Sequence, residues 1–159
     1  MTARGSARAV RADDVGAWLV KASPGASDVE TMRAQGFAEV RRWCVRRSYR
    51  TELVVPGAPV LLWVSGGSAR VPSGVHAVGE VTGPVERDLH PGPVDDLPMR
   101  LRPLDPPVLR PVLLAHPVLS GLEVLRSPWG SNPSYLDRDQ LAALREVVGP
   151  GQLPATSGG

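Results

Sequence analysis

Five arginines crowd positions 41 to 50, at Arg41, Arg42, Arg46, Arg47 and Arg50, with no carboxylate among them and with Trp43 and Tyr49 interleaved. A guanidinium presents a planar fork of donors that suits phosphate oxygens. A tryptophan face stacks on a flat nucleobase for about 1–3 kcal/mol. The pattern therefore suits a nucleotide whose base lies on Trp43 while the arginines hold phosphates. The plainer reading of the same residues is a core tryptophan with basic neighbours on its rim.

Other residues could line a ligand pocket. In the run Pro59 to Ser65, period-two alternation puts Leu61, Trp63 and Ser65 on one strand face and Leu62 and Val64 on the other. Ser65 and Gly66 offer a hydroxyl and an unobstructed backbone N–H, although serine ending a strand is also ordinary turn chemistry. Lys21 is the sole lysine in an arginine-rich chain and brings rotatable donors rather than a fork; Ser23 stands two positions on, after Ala22. Trp129 and Asn132 stand in a loop bounded by Pro128 and Pro133. Gly79, inside a strand-like run, marks a bulge or the close approach of a ligand or another chain. Trp18 reads as core.

Catalytic patterns are missing. There is no G-x-S-x-G elbow and no glycine-rich phosphate loop ending in Lys-Ser or Lys-Thr. His76, His90 and His116 are scattered, and with the one cysteine, Cys44, they offer no metal-ligand spacing. Arginines near Cys44 would lower its pKa, but the plain expectation is a buried small hydrophobe. The pairs Asp13-Asp14 and Asp95-Asp96 read as solvated turn carboxylates. We expect no enzymatic activity and no cofactor.

The chain has 159 residues, the length of one ordinary domain. The single cysteine fits a reducing compartment, and no apolar run approaches a membrane span. A soluble, cytoplasmic protein is expected, and the arginine bias suggests a GC-rich bacterial genome. The net charge of +2 is far from that of a protein that coats nucleic acid. Positions 80 to 105 are much more acidic than the arginine cluster, so a polyanion is expected to meet one face only.

Residues 1–13 and 150–159 read as disordered, with one domain over 14–149. Val15 to Val20 reads as a strand ended by Ser23-Pro24-Gly25. Ser27 or Asp28 caps a helix through about Gln35, which Gly36 stops. Val40 to Tyr49 reads as extended, with Trp43 and Val45 on one face. Pro59–Ser65 and Val75–Thr82 read as an antiparallel pair joined by a glycine-rich loop. Asp88–Pro98 reads as loop, Met99–Leu104 as an outer strand, Val108–Leu114 as a short helix, and Leu122–Arg126 as extended. Asp137 caps a helix over Arg138–Val148, with Leu141, Leu144 and Val148 as its apolar stripe. Short strands with a few helices and no βαβ alternation make an α+β fold, expected to curl into a small barrel.

Five segments, taken in order, resemble an EVE domain. They are Trp18-Leu19-Val20-Lys21 followed by Pro24; Trp43; the run from Val55 to Gly66; the run from Ser73 to Val81; and Leu125 to Pro133 before the closing helix. EVE domains are similar to YTH domains, which read methylated adenine in RNA, and both have the PUA-like fold. The resemblance implies a small curved mixed or antiparallel β-barrel with flanking helices. It also implies a pocket for a modified base, lined by Trp43, Trp63, Ser65, Gly66, Lys21, Ser23, Trp129 and Asn132, with Arg41, Arg42, Arg46, Arg47 and Arg50 toward the nucleic-acid backbone. The implied partner is DNA or RNA carrying a modified base, with a nuclease or other effector acting alongside. The alternative is a domain for a small molecule, nucleoside or protein partner that binds no nucleic acid.

Overall fold

The computed structural model describes residues 9–23, 28–66, 70–127, 130 and 132–154. Six strands and four α-helices follow one another as β1 (Val15–Ala22), α1 (Val29–Ala34), β2 (Arg42–Arg46), β3 (Pro59–Val64), β4 (Gly74–Val81), β5 (Val94–Leu109), α2 (Arg110–Ala115), α3 (Glu123–Arg126), β6 (Ser134–Asp137) and α4 (Arg138–Val148). The strands form one mixed sheet in the order β2-β5-β4-β3-β1-β6. Among the described residues only β1 and β3 run parallel; the other pairs are antiparallel. The sheet curls into a half-barrel, the α+β architecture that the sequence pattern indicates.

The curl separates two apolar layers. Trp18, Val20, Leu62, Val64, Leu97 and Met99 belong to the inner layer, which Phe37 and Val29 close from the α1 side. Leu19, Leu61, Trp63, Leu136 and Leu141 belong to the outer layer, covered by α2, α3 and α4. Both faces of β3 are thereby buried, which is why its sequence is apolar throughout rather than alternating. Helix α4 lies on the outside. Asp137 caps it by accepting from the Gln140 N–H, and the Gln140 side chain returns the bond to the Asp137 N–H.

Several expectations need correction. The segment Asp88–Pro98 is not all loop, because β5 begins at Val94 and pairs with β2. Its Asp95 and Asp96 are buried rather than solvated; partners for both carboxylates make a strand of loop-like composition tolerable. Strand β5 also runs on to Leu109, beyond the expected end at Leu104. Its register against β4 jumps between Pro103 and Val108, so Pro106 and Pro107, which have no N–H for a ladder, sit in the bulge. Leu122–Arg126 is not extended: α3 forms over Glu123–Arg126, and Val124 within it and Leu122 just before it are buried in the outer layer. The extended run ends at Arg46, because Ser48 caps a 3-10 turn over Tyr49–Leu53. Strand β6 was not foreseen.

The boundaries of order shift as well. Val10 is buried and donates its N–H to the Tyr49 hydroxyl, and Ala12–Asp14 form a 3-10 turn. Leu153 is buried too, and the Pro154 carbonyl accepts from Arg145. The expected disorder therefore does not extend over residues 10–13 or 150–154. Among the described residues, no helix is long and apolar enough to cross a membrane.

Candidate functional site

Parallel pairing of β1 and β3 brings the C-terminal ends of both strands to the same end of the sheet. Lys21 near the end of β1 and Ser23 just past it thus lie at the same end as Ser65 and Gly66, just past β3, and the Ser65 N–H donates to the Ala22 carbonyl at 2.9 Å. The segment before β6 joins them. The Asn132 side-chain oxygen accepts from the Lys21 N–H at 3.4 Å, and Lys21 Nζ donates to the Gly130 carbonyl at 3.3 Å. The Asn132 carbonyl accepts from the Arg46 N–H at 3.0 Å. That last bond ties edge strand β2 to the segment leading into the opposite edge strand β6, so the curled sheet closes here. Trp43 completes the seam by donating its indole N–H to the Lys21 carbonyl at 3.2 Å. Lys21, Ser23, Trp43, Ser65, Gly66 and Asn132 are thus drawn together. Trp129 lies outside the described residues, as do Pro24, Ser27 and Ser131.

Trp43 is half-buried against the inner layer. An open groove of about 550 Å³ is lined by Trp43 with Met32, Glu39, Val40, Arg41 and Arg42. Trp63 is placed differently. It is 3% exposed and packs in the outer layer with Leu19, Leu61 and Val75. Odd-numbered positions of β3 point away from the layer that holds Trp43, so the expectation that Trp63 lines the ligand site is not met. Trp18 is core, 1% exposed.

The arginine cluster is largely neutralised. Antiparallel pairing of β2 with β5 lays the acidic stretch directly against it. Arg47 forks onto Asp95, with contacts at 2.8, 3.1 and 3.3 Å, and reaches Asp88 at 3.2 Å. Arg42 lies 3.1 Å from Glu86. Arg50 is 8% exposed and binds both oxygens of Glu123, at 2.7 and 2.8 Å, and the Pro133 carbonyl at 3.2 Å. Its guanidinium also lies 5.3 Å from the centre of the Tyr135 ring. Arg50 is a structural residue rather than a phosphate ligand, and acidic and basic stretches share one face rather than two. Arg41 and Arg46 are exposed and have no carboxylate partner among the described residues.

The Arg50–Glu123 pair lies beneath the seam. Burial pushes the Glu123 carboxyl up, but hydrogen bonds from Arg50 and Ser134 outweigh it and hold the group below its ordinary range. Burial lowers the Lys21 pKa; Glu123 pulls it back up and Arg50 pushes it further down. Sequence reasoning missed Glu123, half-buried, and Ser134, buried, the partners of the seam. No local signal marks either, since Glu123 is 73 positions from Arg50. Met32 and Glu39, in the groove wall, read simply as part of the first helix and its exit.

The remaining candidates resolve plainly. Cys44 is exposed rather than buried. Partial burial of the sulfur, then Asp96 and Asp95, push its thiol up, opposite to the lowering expected from its arginine neighbours. A Cβ at Gly79 would stand 1.7 Å from the Arg100 carbonyl oxygen, so this glycine admits the neighbouring strand rather than a ligand. His76 is buried, bonded to the Pro72 carbonyl and within 3.2 Å of Arg33, and burial lowers its pKa. Among the described residues no group of histidine, cysteine and carboxylate side chains could hold a metal ion.

No protein-family model matches the chain, and no curated relative matches it. Solved structures do. A protein from Agrobacterium tumefaciens superposes with a TM-score of 0.66 at 18% identity, covering 87% of this chain and 97% of that one. A hypothetical protein from Leishmania major gives 0.63 at 17% identity with the same coverage. A Rhodopseudomonas palustris protein, solved by NMR, gives 0.61 at 17% identity, covering 83% and 92%. The likeness is one of fold. It spans nearly the whole of each neighbour and leaves the chemistry of the site to its own geometry.

Proposed function

We propose that this chain is a non-catalytic, PUA-like binding module of the bacterial cytoplasm that holds a modified nucleobase of DNA or RNA on Trp43. One observation carries the reading: Trp43 is fixed in place yet lines an open groove. Its indole N–H is already used by the Lys21 carbonyl, so what the residue offers a ligand is its π face. Anchoring by that bond and by core packing means little motion is lost when a base stacks on it. Extruding a base costs a few kcal/mol, which stacking and edge hydrogen bonds must offset. Glu39 in the groove wall supplies an acceptor for an edge bond, while the seam residues Lys21, Ser23, Ser65, Gly66 and Asn132 stand beside the groove rather than in its lining. The order of the EVE-like segments along the chain supports the same reading. An effector such as a nuclease would then act on the nucleic acid so marked.

The test uses one residue type at two positions. Short single strands carrying one 5-methylcytosine or one N6-methyladenine are titrated into the parent, Trp43→Ala and Trp18→Ala. Loss of the stacking face should weaken the preferred strand roughly five- to 150-fold with the melting temperature nearly unchanged. Trp18→Ala should instead melt early, since removing a buried tryptophan costs about 3–5 kcal/mol. Undiminished affinity in Trp43→Ala, or a protein that mainly unfolds, would remove the platform. A second reading, a free nucleoside or small metabolite in the same groove, is favoured by the ion pairing of Arg42, Arg47 and Arg50. Titrating nucleosides beside the strands separates the two.

A further inference from the structure

Resting on the base-reading proposal, we infer that the ligand is engaged as a single nucleotide, one base on Trp43 and one phosphate at Arg41, rather than as a strand tracked along the arginine cluster. The inference comes from where the charges go. Arg50 is buried on Glu123, and Arg47 is forked onto the fully buried Asp95. Neither guanidinium can turn to a phosphate without leaving a carboxylate unpaired in the interior. Arg42 reaches the groove but carries Glu86 beside it, so the pair presents no net charge.

The strand geometry sorts the other two. The Arg41 carbonyl accepts from the Met99 N–H, which extends the β2–β5 ladder to position 41. Residues two apart share a face and stand roughly 7 Å apart, so Arg41 falls on the side of Trp43. Both line the groove. That spacing suits a nucleobase and its own phosphate across the ribose. Arg46 alternates with Trp43 onto the opposite face; Arg42 shares that parity yet still lines the groove, whereas Arg46 does not. Glu39, in the groove wall, repels a second phosphate and leaves an acceptor for a base amino group. The shared ligand chemistry is therefore a nucleoside monophosphate, either free or as one nucleotide within an unpaired strand.

Salt dependence reads the number of phosphates directly. Each contact on a single strand contributes about −0.7 to the slope of log K against log salt. One contact weakens binding roughly three-fold between about 50 and 200 mM salt, while five would weaken it more than 100-fold. The probes are 5-methyl-2′-deoxycytidine, its 5′-monophosphate and a short single strand containing it, with the N6-methyldeoxyadenosine series in parallel. The monophosphate should bind more tightly than the nucleoside, and the strand within about three-fold of the monophosphate if one phosphate is all that is held. Arg41→Gln should remove the advantage of the monophosphate and flatten the slope, whereas Arg46→Gln should leave both unchanged. A strand preferred more than ten-fold over the monophosphate would locate the ligand in a polymer and overturn the inference. So would a salt effect above ten-fold, or equal flattening by Arg46→Gln. If Trp43→Ala leaves the affinity intact while the salt effect stays small, the base-reading proposal fails and the charge count stands. If no probe binds, both fail.

Discussion

Replacing Glu123 with glutamine tests whether the seam is held from beneath. In the parent, Glu123 accepts from Arg50 Nη1 at 2.7 Å and Nη2 at 2.8 Å, and from the Ser134 hydroxyl at 2.7 Å. Glutamine keeps one acceptor oxygen but turns an amide NH₂ toward a second guanidinium N–H, so two donors meet. It also leaves Arg50 buried without a counter-charge. Breaking a fully buried pair costs about 3–5 kcal/mol. The Glu123 side chain is 21% exposed, and partial solvation lowers the expected loss to about 2–3 kcal/mol. In a chain of this size that is a fall of roughly 5–10 °C in melting temperature. The pH dependence has a definite sign. The folded state holds the Glu123 carboxyl below its ordinary pKa, so the unfolded chain binds the proton more readily. The parent's advantage over Glu123→Gln is therefore complete above the ordinary glutamate pKa of about 4.3. It is lost as pH falls through the lower folded value. The double variant Arg50→Met with Glu123→Leu should recover much of the stability, because it leaves no unpaired charge. Hydrogen exchange adds the link to the site. Arg50 also holds the Pro133 carbonyl, so the Arg46 amide, bonded to Asn132, should exchange faster in Glu123→Gln. Thermal melts across pH read the first effect and amide exchange the second. A loss under about 0.5 kcal/mol, the level of a surface pair, would refute the reasoning.

Two further outcomes follow from packing and from charge. Gly79→Ala should destabilise severely or prevent folding, because its Cβ would overlap the Arg100 carbonyl oxygen of the neighbouring strand; a melting temperature within a few degrees of the parent would show that the strands separate easily. The Cys44 thiol, exposed but pushed above its ordinary pKa by partial burial and by Asp96 and Asp95, should react with a disulfide reagent more slowly than a free cysteine at neutral pH. Asp96→Asn should speed it; equal rates in parent and variant would remove the carboxylate effect.

The residues that could be read along the chain are those whose partners are near in sequence. Asp137 and Gln140 cap each other across three positions, so α4 is legible with its apolar stripe. The apolar run of β3 and the glycine-bounded run of β4 announce their pairing in the same way. Trp43 was legible as an aromatic among arginines, and Trp18 as core. The roles of the arginines were not. A guanidinium is available to phosphate only if no carboxylate claims it, and the claimants of Arg47 and Arg50 lie 48 and 73 positions away. The fate of Trp63 was equally closed to local reading. Alternation says that neighbouring residues of a strand point to opposite faces, and it is silent on what covers each face. Here α2, α3 and α4 cover the face of Trp63, while the inward curl of the sheet leaves part of Trp43 open. Local pattern therefore marked β1, β3, β4 and the helices α1 and α4, but not α3, β6 or the start of β5. Only the long-range pairing of β2 with β5, and the closure through Asn132, decided which charges cancel and which aromatic face remains for a ligand, because electrostatic neutralisation and burial depend on distance in space rather than along the chain.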